Sequence, residues 1–282
     1  MSRYWKIKSF AKINLALNIV GKTSSLHKIE SLISFLNLND DIFIREINKK
    51  KHQIKFTGKF SDEIGEKNTV SKLLEILDKK DLLKNKKYEI KIIKNIPNKA
   101  GLGGGSMNAA SILKFLIKKQ KIKINKKRLV KISNFIGSDV ILGIRPKNSI
   151  LKSNGDIKHI SKIESKKVLV VKPDFGCSTE KIYSKVKKFN KSQFHKIDKY
   201  FFTYPALEKL NNDLELIVLR KYPKFKILKA FLEKLPNIKL VRMTGSGSAM
   251  IAYFSSSKFC KQAEKKVNEN FKKYWCITAK TI

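Results

Sequence analysis

Cysteine is scarce in this sequence. Cys177, Cys260 and Cys276 are odd in number and far apart, which argues against a disulfide framework or a zinc cluster and for the reduced thiols of a cytoplasmic protein. No run approaches the ~18 uninterrupted apolar residues of a membrane span. The start, "MSRYWKIKSFAKINLAL", lacks a long apolar core and a small-residue cleavage site, so no secretory signal is expected. Arginine is scarce too, standing only at Arg3, Arg45, Arg128, Arg145, Arg220 and Arg242. Nucleic-acid readers favour arginine interleaved with aromatics on one face, because the guanidinium fork binds phosphate and stacks on bases. The formal charge of +39 is therefore nearly all lysine, dispersed along the whole length. Such lysine reads first as a solvated surface that attracts anions. RNA binding is the less favoured alternative, and no obligate nucleic-acid partner is expected.

What is present is enough apolar residue, 42% of 282, to build a sizeable core. From Lys12 to Ile19 the residues alternate, with Ile13, Leu15, Leu17 and Ile19 on one face and Lys12, Asn14, Ala16 and Asn18 on the other. A strand with one buried face would show Lys12 and Asn14 side by side to a cleft or to water. Asn68 fits the N-cap of a helix carrying Leu73, Leu74, Ile76 and Leu77. "YEIKIIK" (88–94) reads as a strand, and Ala109 to Ile117 as a helix with one apolar stripe. A short helix near 129–135 ends at Gly137, a C′ position. "VLVVKP" reads as a strand, 207–220 and 227–235 as helices, and "KLVRM" and "AMIAYF" as strands around the turn "TGSGS". Strands and helices alternate, so the class is α/β or α+β. The polar stretch 147–167 suggests a boundary, giving domains 1–155 and 156–282.

The densest signal is "NIPNKAGLGGGSMNAASILKFLIKK", with four glycines in five positions running straight into the helix. A strand, then glycines, then a helix start aims several unpaired backbone N–H groups at one point, where a phosphate fits. Gly103, Gly104 and Gly105 let oxygens approach the main chain, and Ser106 adds a hydroxyl at the helix entrance. A Walker A loop is excluded, because "GKT" at 21–23 has Ala16 where the earlier glycine is required. The dinucleotide pattern G-x-G-x-x-G also fails, running on to Ser106 or to Asn108. The protein-kinase glycine loop lies in a hairpin instead.

"PNKAGLGGGSMNAAS" resembles the ATP loop of the GHMP small-molecule kinases. "AKINLALNI", "GSDV", "NNDLE" and "RMTGSGSAMIAYF" line up with that family in the same order over nearly all of the chain. The triple glycine followed by "S-x-N-A-A" looks most like the branch that phosphorylates a cytidine diphosphate-linked methylerythritol in non-mevalonate isoprenoid precursor synthesis. Homoserine- and mevalonate-type kinases are the alternatives. The resemblance implies a two-domain fold with a left-handed crossover and the active site between the domains. It also implies a small-molecule acceptor, no membrane, and a monomer or weak dimer.

For the chemistry, the resemblance makes Asp139 the acceptor of the hydroxyl proton and Lys12 the cation that favours its charged form and orients the hydroxyl. For ATP it points to Pro97, Asn98, Lys99, Ala100, Gly101, Leu102, Gly103, Gly104, Gly105, Ser106, Met107 and Asn108, with Asn68 and Lys94 beside them. Asn68 fits a nucleotide contact and a plain cap equally. Met107 stands where the family often has serine. Magnesium is expected from the chemistry without an identified protein ligand. On the acceptor side stand Asn14, His27, Tyr183, Gly245 and Gly247. The two glycines fit a diphosphate cradle or a tight turn. Tyr183 fits a stacking wall or core packing, and His27 a pocket wall or plain surface. The family's Gly-Tyr-His reads Ser25-Leu26-His27 here, so Leu26 replaces an expected stacking ring.

Overall fold

The computed structural model describes residues 3–24, 26–119 and 122–282; Ser25 of the Ser-Leu-His segment lies outside them. The chain forms two compact units. The first holds residues up to Lys12, Leu38–Asn98 and Gly103–Pro146. The second holds Ile13–Asn37, Lys99–Leu102 and Lys147–Ile282. The expected boundary near residue 155 falls just inside the longest segment of the second unit. Two long strands, β1 (Trp5–Lys22) and β2 (His27–Ile47), begin or end in each.

In the first unit β3 (Gln53–Thr57) leads through α1 (Thr69–Lys79) to β4 (Lys87–Ile93), and β3 and β4 pair in parallel. The C-terminal half of β2 lies antiparallel on β4, Asp41 opposite Ile93 and Ile47 opposite Lys87. Three helices follow: α2 (Gly104–Lys119), α3 (Lys126–Ile136) and α4 (Val140–Ile144). Their apolar stripes meet the sheet in one core, in which Leu73 and Leu77 of α1 and Ile112, Leu113 and Leu116 of α2 pack with Ile42, Ile44, Ile90 and Ile92. The spacing of these residues at three and four positions on the helices, and two on the strands, is what makes one face of each element apolar.

In the second unit β2 pairs antiparallel with β5 (Ser149–Leu151), which pairs with β6 (Ile157–His159). Then come β7 (Lys167–Lys172), α5 (Thr179–Tyr183), α6 (Tyr204–Lys209), α7 (Glu215–Lys221) and α8 (Pro223–Glu233). The chain closes with β8 (Ile238–Met243), β9 (Met250–Phe254), α9 (Ser257–Asn270) and β10 (Trp275–Lys280). These strands form an antiparallel sheet in the order β10-β7-β9-β8. Its apolar face packs on α8 and α9 through Leu169, Val171, Phe225, Leu228, Leu232 and Val267. Mostly antiparallel sheets beside helices give the α+β form of the expected class. Among the described residues no helix is long and apolar enough to cross a membrane.

Three expectations change. From Ala11 to Ile19 both faces of β1 are buried, so Lys12, Asn14 and Asn18 do not face open water, which removes that alternative to a cleft. The helix expected over 207–220 is interrupted between α6 and α7. There Leu17 N–H donates to Asn211 O and Asp213 N–H to Leu17 O, both at 2.9 Å, so these backbone groups pair with β1 instead of a helical turn. Gly137 caps α3 with φ 174°, an extended conformation open to any residue and not the left-handed one.

Candidate active site

The glycine segment enters from β4 and is anchored before its first glycine. Asp40, fully buried on β2, accepts the N–H groups of Asn95 and Ile96 at 2.8 Å each and pairs with the Lys94 ammonium. Burial pushes the Lys94 amine below its ordinary value, and the Asp40 carboxylate opposes that push. The Asn98 amide donates to Phe60 O at 2.9 Å. Residues 99–102 then belong to the second unit. Lys99 O accepts from Ser248 N–H at 3.2 Å and Ala100 O from Ala249 N–H at 3.0 Å, while Leu102 is buried. Gly101 has φ +74°, and a Cβ there would lie 2.1 Å from Thr244 O.

Gly103, with φ +69°, turns the chain into α2. The first helical bond is Met107 N–H to Gly103 O, at 2.9 Å. The N–H groups of Gly104, Gly105 and Ser106 therefore have no carbonyl a turn behind them within the helix. Gly103 to Ser106 are accessible, whereas Met107 and Asn108 are buried. Met107 packs against Gly143, and the Asn108 amide points into the interior without a hydrogen-bond partner. Both lie behind the helix mouth. Thr69 holds the first turn by donating to Gly105 O at 2.7 Å.

The ammonium of Lys12 lies 3.0 Å from the carboxylate of Asp139. Lys12 is 4% exposed, and its stem runs under Gly103, whose Cβ position is 3.3 Å from Lys12 Cε. The Asp139 side chain keeps a third of its surface in solvent. Asp139 stands at the N-cap of α4 yet makes no side-chain cap bond. Its carboxylate is directed to the lysine. The Ser106 hydroxyl faces Gly137, two residues before Asp139. One unit thus collects the helix mouth, a buried cation and a half-open carboxylate. Asn68 is engaged with its own helix. Its side-chain oxygen accepts from Val70 and Ser71 N–H, and its amide donates to Gly65 O and Glu66 O, so it is the cap of α1.

In the second unit the turn at 244–248 has φ +54° at Gly245 and +83° at Gly247. It is closed by Thr244 N–H to Ala249 O at 3.1 Å, and it is buried throughout. Asn14 N–H donates to Thr244 Oγ1 at 2.9 Å, and the Asn14 amide donates to Ser31 Oγ at 2.7 Å. Asn212 holds the turn from below, donating to Met243 O and Gly245 O at 2.8 Å each. The structure therefore brings Asn14, Gly101 and Gly245 together. His27 and Tyr183 also meet, with ring centroids 5.1 Å apart, while Tyr183 packs on the core of the unit as well. Burial, aided by Lys22, lowers the His27 pKa. Leu26 is 67% exposed. A hollow of about 480 Å³ lined by Asp174, Ile227, Phe271 and Tyr274 holds none of these residues.

Asp40, Thr69, Thr244 and Asn212 were not singled out from the sequence. Asn212 and Thr244 had signals, the "NNDLE" and "TGSGS" segments, but Asp40 and Thr69 are ordinary residue types whose partners lie far along the chain.

Residues 68–145 match the model for the GHMP kinases N terminal domain. The chain is 57% identical over 278 residues to a 4-diphosphocytidyl-2-C-methyl-D-erythritol kinase of Pelagibacter ubique, covering 99% of each chain. A crystal structure of 4-(cytidine 5'-diphospho)-2C-methyl-D-erythritol kinase superposes with a TM-score of 0.78 at 21% identity, covering 98% of this chain and 99% of that one. A homoserine kinase of Cytophaga hutchinsonii superposes with a TM-score of 0.72 at 14% identity, covering 100% and 95%.

Proposed function

The chain belongs to the 4-diphosphocytidyl-2-C-methyl-D-erythritol kinases of the GHMP kinase family, and from that premise we propose that it moves the γ-phosphoryl group of ATP to a hydroxyl of 4-diphosphocytidyl-2-C-methyl-D-erythritol. The observation that carries the choice of acceptor is the 57% identity over 99% of both chains. Fold alone does not separate acceptors, since a homoserine kinase superposes nearly as well.

The residues take the following parts. The free N–H groups of Gly104, Gly105 and Ser106 hold the phosphate tail, favoured by the positive end of α2. Gly103 brings that tail over the Lys12 stem. Asp139 accepts the proton of the attacking hydroxyl as its oxygen bonds to the γ-phosphorus and the bond to the bridging oxygen breaks, releasing ADP. Lys12 holds the Asp139 carboxylate in place and offers positive charge beside the transferring group. Among the described residues no three His, Cys, Asp or Glu side chains gather as a metal cluster. A magnesium ion would fit as one held chiefly by phosphate and water oxygens, with the Ser106 hydroxyl as the available protein donor. It would neutralise phosphate charge. Asn14 and the turn carrying Gly245 and Gly247 are read as the acceptor side.

An assay of ADP release with the cytidine-linked methylerythritol, mevalonate and homoserine tests the acceptor, and turnover with the first alone is expected. Asp139→Asn should lower turnover by roughly 10²–10⁴-fold while ATP affinity is unchanged. Turnover confined to mevalonate or homoserine, or an active Asn variant, would refute the corresponding part.

A further inference from the structure

The ring of Phe189 lies in the second unit with its centroid 6.3 Å from that of His27, on a segment with no regular secondary structure. It is 47% exposed, and the residues that follow it are anchored. Next to it, Asn190 N–H donates to Ile19 O at 2.8 Å, and the Asn18 amide donates to Lys191 O at 2.9 Å. The two oxygens of Glu30 accept from the Ser192 hydroxyl at 2.6 Å and from Gln193 N–H at 2.9 Å. Glu30 is 2% exposed, so a buried carboxylate is committed to fixing a surface segment. Burying a charge is costly unless it is fully bonded, and these bonds supply that condition. The outcome is a large apolar ring half in water at the start of an anchored segment.

His27, Tyr183 and Phe189 form one cluster, with interplanar angles of 41° and 55° about His27. A half-exposed aromatic ring beside an imidazole suits a nucleobase, which stacks on an aromatic face and hydrogen-bonds at its edge. The neighbouring Leu26 side chain offers no ring for that purpose.

We propose that Phe189 is a stacking wall for the pyrimidine base of the acceptor, and so a specificity-determining residue of this chain. The proposal rests on the cytidine-linked acceptor of the preceding reading. Phe189 is not catalytic. It acts on base binding alone, so its loss raises KM for the acceptor and leaves kcat and KM for ATP as they are.

Three proteins are compared: the unaltered chain, Phe189→Ala and Phe189→Trp. The Ala variant should raise the acceptor KM on the order of tenfold, the loss expected for one base–aromatic stack. The Trp variant should restore it, and cytidine diphosphate should quench the fluorescence that the new indole adds. An acceptor KM unmoved by Ala, or a fall in kcat with a rise in both KM values, overturns the proposal. Calorimetry with cytidine diphosphate separates the two readings. Binding that is equally tight in the Ala variant refutes the role of Phe189 alone. Absence of binding to the unaltered chain removes both.

Discussion

Asn68 and Asp139 occupy the same position relative to their helices and do opposite things. Asn68 turns its side chain onto the N–H groups of α1 and uses its amide on two carbonyls. Asp139 leaves the N–H groups of α4 alone and reaches the Lys12 ammonium. Residue type does not distinguish the two cases, since both are favoured caps. The cap at Asn68 was legible because the apolar pattern of α1 starts just after it. Asn68→Ala should cost about 1 kcal/mol, lowering the melting temperature by about 2–4 °C. KM for ATP should stay unchanged in a steady-state assay, and a rise would restore the nucleotide reading.

At the scale of elements, the two left-handed glycines of the glycine segment differ in surroundings. Gly101 has φ +74° and the Thr244 carbonyl at 2.1 Å from any added Cβ, a rigid backbone atom that cannot give way. Gly103 has φ +69°, but the nearest atom, at 3.3 Å, belongs to the flexible Lys12 stem. Gly103→Ala should therefore fold, at about 1–2 kcal/mol for the left-handed conformation. It should also shift Lys12 under the helix mouth, and misplacement of that kind lowers kcat by up to roughly 10²-fold. Thermal melting and steady-state kinetics read the two effects separately. A variant with full kcat would mean that the Lys12 position is not coupled to the loop. The strand, glycines and helix of this element were readable, because periodicity and glycine density are local. The interruption between α6 and α7 was not, because its cause is Leu17, nearly two hundred positions away along the chain.

For the whole molecule the net charge of +39 remains the most conspicuous property. With few arginines and a small-molecule kinase family shown, a field from the dispersed lysines is expected to draw in anions. Raising ionic strength from about 0.05 to 0.5 M shortens the screening length several-fold, so KM for both substrates should rise while kcat stays flat. Salt-independent KM values would remove the field from the account. The sequence by itself determined the composition of that field, the glycine density before α2, and the helices and strands whose faces repeat at fixed periods. The family resemblance already implied that Lys12 meets Asp139, and only the tertiary structure decided that Asp40 braces the loop entrance and that Asn14 and Thr244, 230 positions apart, share a hydrogen bond. Local patterns follow from the geometry of neighbouring peptide units. Long-range pairs depend on how buried surfaces pack, and nothing in the spacing of residues along the chain encodes that partner choice.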